Sequence, residues 1–180
     1  MTHVLFGVGY QSWKDTRMRM PGLVDALRRC DVNLVVDIRL QPSSAERDPE
    51  SMYGPKEWHL QEPGHGIATA LSRSAIRYLL ATELGNPQRR DPEMRILRSH
   101  LSSGDPTLPV FRGLLLLRDL VLAAGNRCCL LCACESPGGC HRSLIAEALK
   151  SRLIPALDIR EAAPPRVRRS TAGRPPASPR

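Results

Sequence analysis

A chain of 180 residues that is 42% hydrophobic but only 4% aromatic can bury one sizeable core, and it lacks the rings for a base-stacking platform, which excludes an aromatic RNA-binding sheet. Its formal charge of +8 is uneven. Five arginines (Arg166, Arg168, Arg169, Arg174, Arg180) and no acid fall within residues 162–180, leaving 21 basic against 18 acidic residues in the body, a weak nucleic-acid footprint.

In chain order, "HVLFGV" (residues 3–8) reads as a buried strand running into a Gly7/Gly9 turn. "PGLVDALRRC" (21–30) places Leu23, Leu27 and Cys30 on one helical face, with Pro21 as at a helix start. "NLVVDI" (33–38) is a second buried strand, completing a βαβ unit. Residues 40–69 break into Pro, Gly, Ser and His, a long loop of the kind that is more often functional than neutral. Helical patterns return at 72–83, 92–102 and 108–124, the first stopping at Leu84-Gly85. "RCCLLCA" (127–133) is a third strand, "HRSLIAEALKSR" (141–152) a helix and "PALDI" (155–159) a last strand. The alternation predicts an α/β fold: one compact domain over residues 1–161 with a mostly parallel sheet between helices, Rossmann-like in three layers. Residues 162–180, rich in Pro and Arg, have almost nothing to bury and read as a disordered tail.

No signal-like start is present, and "GLLLLRDLVLAAG" (113–125) carries Arg118 and Asp119 and falls short of the roughly 20 residues of a bilayer span. A cytoplasmic protein with no membrane partner is expected, with thiols kept reduced.

Five of the six cysteines lie within residues 128–140. Cys128, Cys129 and Cys132 lie in the strand itself, flanking Leu130 and Leu131, and read as small buried hydrophobes, as does Cys30. Cys134 and Cys140 flank the loop "ESPGG" at a strand's carboxyl end, where open α/β sheets bind ligands. At a helix start beside His141 and Arg142, Cys140 is placed to titrate below an ordinary thiol and act as a nucleophile. The same amides and Arg142 would equally hold a phosphate or carboxylate. Spacing excludes a tyrosine-phosphatase loop, because the sixth residue after Cys134 is Cys140 and after Cys140 is Ala146, not Arg. A zinc site would draw on Cys132, Cys134, Cys140 and His141, but the two-residue spacer is missing and adjacent ligands strain a tetrahedron. A Cys134–Cys140 redox pair also remains open. No cofactor or resident metal is expected. Asp37 and Arg39 end the second strand with side chains on the same side, either as part of a site or as a salt bridge closing a loop.

"GVGYQSW", "VVDIRLQPSS", "YLLATELGN" and "LLCACESPGGCHRSLIA", in this order within residues 3–160, together resemble the bacterial and archaeal family catalogued as domain of unknown function 488. The resemblance implies a compact α/β domain whose motifs gather at strand ends around one cleft. It carries over Asp37, Arg39, Pro42 and Ser43 from the Asp-x-Arg stretch, and Cys140, His141, Arg142 and Glu135 from the Cys-His-Arg stretch. At the first turn, where the family favours Gly-His, Tyr10 follows Gly9.

Two function classes follow. The first is a thiol-dependent enzyme on a small anionic, nucleotide-like ligand. Arg39, Arg142, Ser43 and Tyr10 would bind it, Cys140 would attack, and Asp37, Glu135 or His141 would handle protons. The second is a binding protein that engages nucleic acid through the arginine tail.

Overall fold

The computed structural model describes residues 3–40, 66–88 and 91–162. Among these residues, five parallel strands form one sheet: β1 (Val4–Gly9), β2 (Leu34–Asp37), β3 (Arg77–Leu80), β4 (Cys128–Cys132) and β5 (Asp158–Glu161), in the order β3-β2-β4-β1-β5. The helices are α1 (Arg19–Arg29), α2 (Gly66–Ser72), α3 (Arg95–Ser103), α4 (Pro109–Leu122) and α5 (His141–Arg152). This is an α/β domain with helices on both faces of a parallel sheet.

β2 and β4 are buried at every residue, as strands covered on two sides must be, which is why they read as unbroken apolar runs. Successive side chains serve opposite layers. Leu5, Val36, Cys128, Leu130 and Cys132 join the core under α3, α4 and α5. Phe6, Val8, Val35, Cys129 and Leu131 join the one under α1 and α2, with Leu23 and Leu27 of α1. Each fully buried leucine of these layers contributes roughly 2 kcal/mol by leaving water. Pro109 takes the first turn of α4, where its missing N–H is not needed, and Gly104 closes α3 in the left-handed region at φ 68°. No described helix is long and apolar enough to cross a membrane.

The helix expected over residues 72–83 is not there. α2 ends at Ser72, Ala75 turns the chain at φ 57°, and Arg77–Leu80 is strand β3, followed by a 3-10 turn at Thr82–Leu84. "AIRYLLATEL" has apolar residues at both helical and strand spacing; pairing with β2 decides between them. The expected loop over 40–69 also gives way to helix from Gly66 on. The last strand runs Asp158–Glu161, beyond the expected 155–159. Ala162, assigned to the tail, is buried at 1% exposure and its N–H donates to the Gly7 carbonyl at 2.8 Å. The rest of the expected tail, and Pro42 and Ser43 in the long loop, lie outside the described residues.

Candidate functional site

From β2 the chain leaves towards β3, and from its neighbour β4 it leaves towards β5. The two connections part there, which opens a crevice at the carboxyl ends of β2 and β4, the place where such sheets bind ligands. Asp37 and Arg39 stand on one side of it, and Cys132, Cys134 and the start of α5 on the other. His141 Nε2 bridges the sides, 3.0 Å from the Ile38 carbonyl. A carbonyl only accepts, so Nε2 carries the proton and Nδ1 of the neutral ring is left with its lone pair.

Arg142 sits under this edge at 1% exposure. Its Nε and Nη2 donate to Glu161 of β5 at 3.2 and 3.1 Å, Nη1 to the Cys134 carbonyl at 3.0 Å and to Cys140 Sγ at 3.4 Å, and Nη2 to the Glu135 carbonyl at 3.4 Å. These contacts take up the guanidinium fork, so Arg142 shapes the residue 134–135 loop and is not presented to an anion. Gly9 makes room for that loop. A Cβ there would lie 1.5 Å from the Cys134 carbonyl oxygen and 2.9 Å from Arg142 Nη1.

Cys132 and Cys140 are buried, with their sulfurs 2.9 Å apart, and Cys134 is half-buried beside them. Cys140 Sγ caps α5 by accepting from the Arg142 backbone N–H at 3.5 Å, while Cys132 Sγ accepts from the Cys134 backbone N–H at 3.2 Å. Three thiols this close share little negative charge, and it resides on the most solvated. The neighbouring Cys132 and Cys140 thiols, with His141 and Arg142 nearby, hold Cys134 below the usual thiol range. The bond with Cys132, the neighbouring Cys134 sulfur and burial push Cys140 up. Cys140 therefore does not have the depressed thiol that its helix-start position suggests: the dipole is outweighed by neighbouring sulfurs and desolvation. Cys128 and Cys129 behave as apolar packing, and burial raises both, Cys128 to about 11.

Across the crevice, Arg39 and Asp37 form a fully buried pair, with Arg39 Nε at 2.9 and 3.0 Å and Nη2 at 2.6 Å from the carboxylate. Tyr78 Oη donates to the same carboxylate at 2.7 Å. Burial, then the Asp37 charge, raises the Tyr78 phenol far above its ordinary value, so it stays a donor. Tyr10 lies fully buried between two cations, with the Arg39 and Arg19 guanidinium carbons 5.4 and 5.8 Å from its ring centroid. Its phenol is raised by burial against the pull of both arginines, and feels Cys132 and Cys134. Arg19 Nε donates to the Trp13 carbonyl at 3.2 Å, while its Nη1 is buried with no hydrogen-bond partner among the described residues.

Asp37, Arg39, Tyr10, Cys140, His141 and Arg142 thus gather at one edge. Glu135 is more exposed, pairs with Lys14 and offers its backbone carbonyl to Ser12 at 3.2 Å. Sequence reasoning missed Arg19, Tyr78 and Glu161. Tyr78 and Glu161 lie 41 and 19 residues from their partners. Arg19 belongs to α1, before the Pro21 that marks the expected helix start. Compared with protein-family models, curated proteins and solved structures, the chain matches none. Fold and site define its class by themselves: a parallel α/β domain with a cysteine, histidine and arginine cluster at its switch point.

Proposed function

We propose that the protein is a thiol-dependent enzyme acting on a small anionic, nucleotide-like substrate at this edge. Cys134 takes the nucleophile's place in this reading and Arg19 meets the anion beside Tyr10. The observation that carries it is the buried Nη1 of Arg19, which has no hydrogen-bond partner among the described residues and lies beside Tyr10, the residue after the Gly9 that packs against the Cys134 carbonyl. A buried guanidinium hydrogen left unmatched costs on the order of 1–3 kcal/mol, which an anionic oxygen recovers. Cys134 is the half-buried thiol of this edge, whereas Cys132 and Cys140 are enclosed. Asp37, Arg39 and Arg142 serve as framework.

Limited alkylation of the folded, reduced chain, read by peptide fragmentation, tests this. Cys134 should label before Cys132 and Cys140, inorganic phosphate or a nucleoside monophosphate should protect it, and Arg19→Ala should abolish the protection. Labelling of Cys140 ahead of Cys134, or protection that survives Arg19→Ala, would overturn the reading.

A further inference from the structure

We propose that Cys132, Cys140 and His141 bind one thiophilic divalent cation of the Zn²⁺ class at the base of the crevice between β2 and β4. The two sulfurs and one ring nitrogen of His141 lie within 4.8 Å of one another. Zinc–ligand bonds of about 2.3 Å to sulfur and 2.1 Å to nitrogen put tetrahedral ligand atoms roughly 3.5–3.8 Å apart. The sulfurs, now 2.9 Å apart, need to separate by only about 1 Å to reach that spacing.

Two features beyond the cluster itself point to a cation. The first is the direction of the N–H groups around the sulfurs. The Cys134 amide aims at Cys132 Sγ (3.2 Å), and the Arg142 amide (3.5 Å) and Nη1 (3.4 Å) aim at Cys140 Sγ, with Nη1 also 4.0 Å from Cys132 Sγ. A neutral thiol is a weak acceptor and needs no such set of donors, whereas a metal-bound thiolate does. Two adjacent buried thiolates carry more charge than the one Arg142 guanidinium beside them offsets, since Glu161 already partners it, and a bound divalent cation supplies the rest. The second feature is His141. Its Nε2–H is fixed on the Ile38 carbonyl, which orients the ring and leaves Nδ1 as the ligating nitrogen, the support that metal-bound histidines use.

The sequence-level objections, a missing spacer and adjacent ligands, are answered by the backbone. Cys140 is extended at φ −102°, ψ 141°, and His141 opens α5, so the chain turns between them and their ligand atoms converge. The second sulfur comes from β4 rather than from the same loop. Three protein ligands leave a fourth position for water or a substrate atom. The assignment goes beyond the proposed enzyme and does not require Cys134 to be a nucleophile.

The test uses the full chain, stripped with a chelator, held under reductant and titrated with Co²⁺ and then Zn²⁺. One equivalent should bind, with the sulfur-to-cobalt charge-transfer band and the visible bands of a tetrahedral site, and Zn²⁺ should displace it. His141→Ala, at a half-buried position, should keep its circular dichroism and weaken binding at least tenfold, and Cys140→Ser should do the same if it folds. Cys134→Ser should bind like the wild type. Lack of stoichiometric binding by the folded, reduced wild type overturns the proposal. So does loss of binding in Cys134→Ser with retention in His141→Ala. A fall of two titratable thiols on air exposure, with no cobalt band under reductant, would make Cys132 and Cys140 a disulfide pair instead. Phosphate protection of Cys134 is read separately, so either assignment can fail alone.

Discussion

Gly9 shows how tightly single residues set this edge. A methyl group there meets the backbone oxygen of Cys134, which cannot swing aside as a side chain can, so either β1 or the residue 134–135 loop must move. Gly9→Ala should cost about 1–3 kcal/mol or more and raise the labelling rate of Cys140, measured by denaturant melts and timed alkylation. The Asp37 cluster grades in the same way. Tyr78→Phe removes one hydrogen bond to a buried carboxylate and should cost about 1.5–3 kcal/mol. Arg39→Ala leaves the carboxylate without its cation and should cost more, about 3–5 kcal/mol. Equal losses in denaturant melts would mean that the buried pair carries no extra weight. Asp37, Arg39, Cys140, His141 and Arg142 were legible in the sequence because each pair or triplet is local. The choice between Cys134 and Cys140 was not, since it depends on solvation and on a third sulfur brought in by β4.

Elements were legible wherever one periodicity dominated. β1, β2, β4 and α5 fall where their apolar runs predict, because a strand buried on both faces and a helix that starts at a cap admit few alternatives. β3 failed because four residues, Arg77–Leu80, are too short for either period to win, and the turn at Ala75 has a left-handed conformation that its sequence does not announce. α3 begins with a similar device. Met94 is left-handed at φ 53°, and the Asp91 carboxylate accepts from the Arg95 amide at 2.9 Å and the Glu93 amide at 3.0 Å. Those bonds, that to Arg95 foremost, hold the Asp91 carboxyl below its ordinary value. A depressed folded-state value means stability that is present above the unfolded value of about 3.9 and lost as pH falls through the folded one. Asp91→Asn should therefore melt lower than the wild type near neutral pH, with the gap closing below about pH 4. A gap that stays constant into acid would remove the carboxylate as its source.

At the scale of the whole molecule, the alternation of strands and helices predicted the layers but not the strand order, because each βαβ crossover looks alike in sequence whichever way it turns. That order matters: it places β5 beside β1, so that Glu161 reaches Arg142 and the chain's last described strand supports the cysteine edge from behind. Arg142 is 2% exposed at its side chain and Glu161 35%, so removal of the acid strands a buried cation while the acid itself gains water. Glu161→Gln should accordingly cost about 1–3 kcal/mol, less than a fully buried pair would. Two truncations locate the same dependence along the chain. A chain ending at Ala162 retains the Glu161 carboxylate and the Ala162 amide on Gly7 and loses five arginines, and its melting temperature should equal that of the full chain. A chain ending at Arg160 loses both contacts and should melt several degrees lower, at about 2–4 °C per kcal/mol for a domain of this size. Its Cys134 and Cys140 should also alkylate faster, because the guanidinium that holds their loop has lost its carboxylate. If both truncations melt like the full chain and label at its rate, β5 is only an edge strand and the site stands without it.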